Sequence, residues 1–491
     1  MSDILVAPPS PRSAEQPPGL AAKIDRYFEI SQRGSTVRRE VIGGLTTFAA
    51  MAYIVVLNPL IIGTAPDAHG RLLGLTGVAG VTALVAAVMT IAMGLIGKVP
   101  FALATGLGLN AFVAFSVASQ MSWPEAMGLV VIEGAVIAVL VLTGVRQAIF
   151  RAIPAELKAA IAVGIGLFIA LIGFVDGGFV RAGAGTPVQL GSDGALHGWP
   201  TVVFIVGLLL TGILAARKVR GGILIGIIAT TVFAWIINAL THPGASIVNG
   251  KPNPTGWRLN VPAMPDGHLV GSPDLHLFGN VSFHGFAAVG IAQGLLLVFT
   301  LILSDFFDVM GTTVGLASEA KLLKEDGQMD RLGRILFLDG AAAVVGGVGS
   351  ASSATTYVES SSGIADGART GLASVVTGLL FVVALFLTPL VSLVPSEAAD
   401  PALVVVGVLM LSQVKRIDFS NLTVAIPAAL TMLLMPFTYS ITVGVGAGFI
   451  AYVVMQTFVA RKAREIHPLM WGIAAAFAIF FAEPWIAHLV K

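Results

Sequence analysis

The sequence predicts an all-α polytopic membrane protein built as two inverted halves, and three observations carry that expectation. Of its 491 residues, 56% are hydrophobic and 11% charged, with a mean hydropathy of +0.90; a soluble domain has about a quarter of its residues charged. Apolar runs of about 18 to 25 residues recur along the chain, each long enough to cross roughly 30 Å of hydrocarbon. Between two of these runs lies GSASSATTYVESSSGIADGART, residues 349 to 370, rich in Ser, Thr and Gly around Glu359. At membrane depth such backbone is tolerated only where it is buried in protein or lines a wet cavity. An intramembrane Glu beside it marks a functional site on a short, broken helix.

The chain opens on residues 1–34, where Pro8, Pro9, Pro11, Pro17 and Pro18 among small polar residues predict a disordered tail. The tail has no apolar signal core, so the first run acts as its own insertion signal. Fifteen apolar runs follow, at about 41–63, 76–97, 101–119, 125–144, 157–175, 198–216, 219–240, 284–310, 331–349, 352–366, 369–393, 400–414, 420–437, 440–461 and 468–490. Lys and Arg in the short loops check the count, because cytoplasmic loops are enriched in them. With the tail inside, Lys98, Arg146 to Lys158, Arg217 to Arg220, Lys321 to Arg334, Arg369, Lys415 with Arg416, and Arg461 to Arg464 all fall inside after fourteen crossings.

The division expected is a first repeat of helices 1–7 over 35–240, an extracytoplasmic loop at 241–283 and a second repeat of helices 8–14 over 284–466. A C-terminal apolar segment, 467–491, carries Glu483 and His488 and has three placements open to it: crossing, lying in the interface, or packing as an accessory helix. Seven runs before the large loop start the second half on the opposite side of the membrane. The third run of each half is short and interrupted by small residues, the pattern of an inverted repeat with its site at the repeat interface.

Composition also excludes. A net charge of +1 argues against a nucleic-acid partner, and the absence of Cys removes disulfides, thiolate metal sites and Cys nucleophiles. The eight His show no metal-ligand spacing, and Gly97-Lys98 lacks the upstream glycine of a P-loop. No metal, no cofactor and no ATP-driven pump is expected.

Three polar clusters fall at membrane depth: Thr105, Gly106, Gly108 and Asn110; Ser304, Asp305, Asp308, Gly311, Thr312 and Thr313; and Thr355, Thr356, Tyr357, Glu359 and Ser360. An ionised carboxylate only accepts and suits adjacent N–H donors; free amides at short-helix ends donate to a carbonyl. Side by side these match the edge of an uncharged heterocycle with the donor and acceptor pattern of guanine. Phe112, Phe115, Phe306, Phe307 and Tyr357 are near enough in sequence to offer a stacking face.

The segments GLGLNAFVAF, SDFFDVMGTTVGLA and ATTYVESSSGIADGARTGL closely resemble the three signature regions of the AzgA-like purine permeases, the hypoxanthine, guanine and adenine branch of the nucleobase/ascorbate (NCS2) superfamily, over about Arg38 to Met470. The resemblance implies a seven-plus-seven inverted repeat with short half-helices 3 and 10 meeting at the midplane. It also implies a core of helices 1–4 and 8–11, a gate of helices 5–7 and 12–14, a homodimer, and proton-coupled, elevator-like transport. It places the family's helix-3 Gly and Asn on Gly108 and Asn110, the helix-8 acid on Asp308 and the helix-10 Glu on Glu359, with Asp305 at a second acidic position one turn earlier. The chain departs at Leu107, Ser304 and Asp366, which leaves the preferred purine open.

The expected substrate-binding residues are therefore Glu359, Asp308, Asn110, Gly108, Thr356, Ser353 and Phe307, and the expected proton-coupling residues Glu359, Asp308 and Asp305. The plainer readings are that Glu359 caps its short helix, Asn110 ties two helices, Glu133 is a structural hydrogen-bonding group, and Gly363 with Gly367 permits close packing. The function expected is import of hypoxanthine and guanine, with adenine as a further candidate, by a multi-pass cell-membrane symporter whose N-terminus is cytoplasmic and whose other partner is lipid. The rivals are a permease of the same fold for uracil, xanthine or an anion, and a membrane-embedded enzyme. An anion carrier wants positive charge at its site, and an enzyme wants a nucleophile with a base; the three clusters contain neither a cation nor a His.

Overall fold

The computed structural model describes residues 20–143, 153–183, 185–191, 194–248, 251–262, 269–323, 329 and 331–489; within these the side chains of Leu20, Ala21, Val248, Lys251, Pro252, Phe307, Asp308, Met310 and Gly311 and of residues 483–489 are not described. Every apolar run read from the sequence is occupied by helix or by strand plus helix. Eight helices among the described residues are long and apolar enough to cross a membrane.

The first run is broken. Helix α1, Leu20–Phe28, precedes it; α2, Val37–Met51, then stops at Ala52-Tyr53 before α3, Ile54–Asn58, and a wide turn at Pro59–Gly63. Helix α4 is Leu75–Ala92. The third run is strand β1, Leu103–Thr105, followed by α5, Leu107–Phe112. Helices α6, Trp123–Leu142, α7, Ala155–Asp176, α8, Trp199–Ala216, and α9, Gly222–Thr241, complete the first half. The second half runs α10, Gly285–Val289, α11, Ile291–Glu319, α12, Leu332–Val348, strand β6, Ala354–Thr356, α13, Ser360–Ala365, and α14, Gly371–Leu385. It ends with α15, Ser396–Met410, α16, Leu422–Thr438, α17, Ile441–Phe458, and α18, Pro468–Leu489. Small hairpins β2/β3 (Val180–Arg181, Gln189–Leu190) and β4/β5 (Ile247–Val248, Lys251–Pro252) fold within the long loops.

The helices pack as two sets. In the first, α6 lies along α12, and α14 lies along α4 and α2; in the second, α7 packs on α15 and α16, α16 on α17, and α8 on α9. Close approach in the first set depends on absent side chains. A Cβ on Gly134 would sit 2.5 Å from the Val344 nitrogen and 2.7 Å from the Gly340 oxygen, and one on Gly363 would strike the Gly43 oxygen at 2.3 Å. Helix association in lipid rests on this kind of backbone contact. The last apolar run folds as α18 packed on α17, with the Phe477 ring buried 6.3 Å from that of Phe449.

The expectation of a disordered tail through residue 34 is corrected from Leu20 onward; residues 1–19 lie outside the described residues. Phe28 and Ile30 are buried, the Tyr27 hydroxyl donates to the Leu95 carbonyl at 3.0 Å, and Glu29 pairs with Arg33 at 2.9 Å and Arg331 at 2.6 Å. The Arg331 hydrogen bond, reinforced by Arg33, holds Glu29 below the ordinary carboxylate value against its partial burial. Arg33 Nη1 also donates to the carbonyls of Lys98 (2.7 Å) and Arg369 (3.2 Å), so the Lys/Arg-bearing loops gather at one end of the molecule. At that end Arg220, between α8 and α9 of the second set, forms an ion pair with Asp366 of the first, which also accepts from Thr46 Oγ1 at 2.6 Å.

Gly134→Leu drives carbon into the backbone of α12 and is expected to cost at least about 1–3 kcal/mol, seen as a lowered melting temperature and loss of the monodisperse peak in detergent. A melting curve like that of the unaltered protein would contradict this packing.

Candidate functional site

The two interrupted runs meet. Strand β1 pairs antiparallel with β6, Leu103 opposite Thr356, Ala104 opposite Thr355 and Thr105 opposite Ala354. Gly106 N donates to the Ser353 carbonyl (3.0 Å) and Tyr357 N to the Ala102 carbonyl (2.9 Å), extending the ladder at both ends. Backbone that would be intolerable in lipid is thereby satisfied 250 residues away in the chain. The β-branched Thr105, Thr355 and Thr356 favour the extended form, and the Gly and Ser around them interrupt helix.

Side chains from neighbouring helices brace both strands. Thr90 Oγ1 of α4 donates to the Leu103 carbonyl and accepts from Leu103 N, each at 2.9 Å. In the other half Asp339 of α12 accepts from Thr356 N and Thr356 Oγ1, both at 3.0 Å, while Ser353 Oγ donates to Glu133 Oε1 of α6 at 3.2 Å. Asn58 Nδ2 donates to Thr82 Oγ1 (2.7 Å) and the Ala351 carbonyl (3.0 Å), and the Tyr357 hydroxyl to the Thr105 carbonyl at 2.5 Å.

The expected site residues sort by these contacts. Ser353 and Thr356 are buried with their hydroxyls committed to Glu133 and Asp339. Asn110 is fully buried beside β1, its Nδ2 donating to Thr105 Oγ1 at 3.3 Å. Gly108 heads α5 where a Cβ would sit 2.7 Å from Ile165 Cγ2 of α7, so it lies against the second helix set. Asp305 is fully buried on α11, while the side chains of Asp308 and Phe307 lie outside the described residues. Glu359 differs from Glu133, Asp305 and Asp339: those three are 0% exposed, whereas Glu359 is half-buried. It does not cap its own helix; its Oε1 accepts from the Tyr53 hydroxyl instead.

The stacking face expected from sequence is largely unavailable. Phe112 and Phe306 are core residues at 0% and 1% exposure, Tyr357 is spent on β1, and Phe115 packs edge-on against Phe168 and Tyr439 of the second set, at 6.1 and 5.5 Å. Sequence reasoning missed Tyr53 and Asp339. Asp339, an acid alone in an apolar run, carried a signal that was there to read. Glu133 makes the hydrogen bond its structural reading asks for.

A separate cavity of about 320 Å³ lies between the β2/β3 and β4/β5 hairpins and the start of α15. Its charges serve one another, Arg258 pairing with Asp176 at 2.9 Å and its backbone N–H donating to Glu397 Oε1 at 2.9 Å. None of its lining residues belongs to β1 or β6.

The profile of the Permease family matches residues 38–447. The chain belongs to this permease family. It is 40% identical over 465 residues to the guanine/hypoxanthine permease PbuG of Bacillus subtilis, covering 93% of this chain and 98% of that relative. It is 37% identical over 458 residues to the adenine permease AdeP of Escherichia coli, covering 93% and 95%. Among solved structures, the transmembrane domain of the cyanobacterium bicarbonate transporter BicA superposes with a TM-score of 0.57 at 14% identity, covering 84% of this chain and 97% of that one. That likeness concerns fold alone, and the fold is the seven-plus-seven one expected. This permease is thus a multi-pass membrane transporter and not an enzyme.

Asp339→Ala would strand two buried donors of Thr356, at roughly 1–3 kcal/mol each. The permease is expected to melt several degrees lower, and Thr356→Val, which removes only the hydroxyl, to lose less. Equal melting for Asp339→Ala and the unaltered chain would contradict the brace.

Proposed function

We propose that this permease imports purine nucleobases, hypoxanthine and guanine first and adenine as a further candidate, by proton symport. The observation that carries the site assignment is Glu359 at the end of a strand pair, a residue not fully buried and bonded to no strand hydroxyl, while Glu133 and Asp339 are fully buried and accept from Ser353 and Thr356. The substrate class is supported by relatives named for guanine, hypoxanthine and adenine.

In this reading Glu359 and Asp308 accept N–H groups of the base, and amides at the head of α5 near Gly108 meet its carbonyl, with Asn110 beside them and Phe307 against the ring. Ser353 and Thr356 act by holding the strand, since their hydroxyls already have partners. The coupled proton resides on Glu359, Asp308 or Asp305. The first helix set is the core and the second the gate, in a homodimer whose N-terminus is cytoplasmic. An elevator movement would slide Gly108 and Phe115 past α7 and break the Arg220–Asp366 ion pair, all of them among the contacts that join the two sets.

The test is uptake of labelled hypoxanthine in cells lacking their own purine permeases, with unlabelled guanine, adenine, xanthine and uracil as competitors and a protonophore in parallel. Saturable uptake, competed by guanine or adenine but not by uracil and collapsed by the protonophore, is expected. Competition by uracil and xanthine alone would refute the substrate, and uptake indifferent to the protonophore would refute the coupling.

A further inference from the structure

Tyr53 has no place in the site as read from sequence, yet it makes the one side-chain contact that distinguishes Glu359 from a capping residue. It stands at the break in the first apolar run, between Val37–Met51 and Ile54–Asn58, where its carbonyl still accepts from Val56 N (3.0 Å) and Leu57 N (2.9 Å). Its ring is 1% exposed, so the hydroxyl is fixed by packing, and that hydroxyl donates to Glu359 Oε1 across 306 residues of chain.

We propose that Tyr53 is a positioning residue for base recognition: it anchors one oxygen of Glu359 and thereby sets the plane in which the other receives an N–H of the purine. The inference rests on the reading of Glu359 as a base-binding group. A glutamate has three side-chain torsions, and bringing a free one to a single geometry loses rotamer entropy at every binding event. A phenol on a buried ring removes that loss beforehand, which is how preorganisation raises affinity. The stoichiometry fits, because a phenol donates one hydrogen and a carboxylate has two oxygens with about four acceptor positions. Tyr53 leaves most of that capacity free while making a charge-assisted bond. Tyr357, the other tyrosine nearby, is committed to the Thr105 carbonyl.

The experiment compares purified protein and reconstituted uptake for the unaltered chain, Tyr53→Phe and Glu359→Gln, with hypoxanthine as the probe. Tyr53→Phe keeps the ring and its burial, so the melting temperature and maximal uptake rate are expected to stay close to those of the unaltered chain. Kd and KM should rise about tenfold, equivalent to about 1.4 kcal/mol. A Tyr53→Phe protein that binds as tightly as the unaltered chain, while Glu359→Gln binds weakly, overturns the role of Tyr53 and leaves that of Glu359 standing. Undiminished binding by Glu359→Gln overturns the reading of Glu359 itself. Should Tyr53→Phe fail to give monodisperse protein, Glu359→Asp draws the carboxylate back by one methylene from the same hydroxyl. That variant also withdraws the carboxylate from the base, so the anchor is then judged on Tyr53→Phe assayed in membrane vesicles without purification: a raised KM at an unchanged maximal rate supports it, and an unchanged KM refutes it.

Discussion

The antiparallel pairing of Leu103–Thr105 with Ala354–Thr356 is the constraint on which the rest of the structure depends. Extended backbone at membrane depth must find its partners within the protein, and each interrupted run is the other's partner. Because the two strands come from opposite halves, the pairing fixes how the halves are joined. It also places the start of α5 at Gly106 and the Tyr357–Ser360 turn at the two ends of one small sheet.

The acids around this sheet divide the work. Glu133 and Asp339 are fully buried and accept from Ser353 and Thr356, so each holds a strand residue whose hydroxyl would otherwise be unsatisfied. Glu359 keeps part of its surface open and is held through one oxygen by Tyr53. Among the described contacts between the two helix sets are Gly108 against Ile165, an aromatic edge at Phe115 and an ion pair at Asp366.

Much of this was legible in the sequence because lipid imposes simple rules. Run lengths marked most helices within a few residues, the run at 284–310 stopping nine residues short of the end of α11, and the Ser/Thr/Gly stretch around Glu359 had to be interior. Direction was not legible. Nearness in sequence made Phe112 and Phe306 look like a stacking face, but a helix turns successive residues to different sides, and both face the core. The strand register across 250 residues leaves no local trace, so the spending of Ser353 and Thr356 on Glu133 and Asp339 could not be foreseen. Tyr53 is one aromatic in an apolar run, and its partner lies in the other half. The ordered stretch from Leu20 was hidden by the prolines before it, since its partners, Leu95 for Tyr27 and Arg331 for Glu29, lie far along the chain.

Under the proposed function a purine base occupies the space in front of Glu359. The chain has no cysteine, so Val358→Cys, 59% exposed and adjacent to Glu359, introduces a single thiol at that place. The decisive measurement is the rate at which a water-soluble thiol reagent modifies it with and without hypoxanthine. Hypoxanthine is expected to slow the reaction with a half-effect near its KM for uptake, and uracil is not. An unchanged rate at saturating hypoxanthine would contradict that placement.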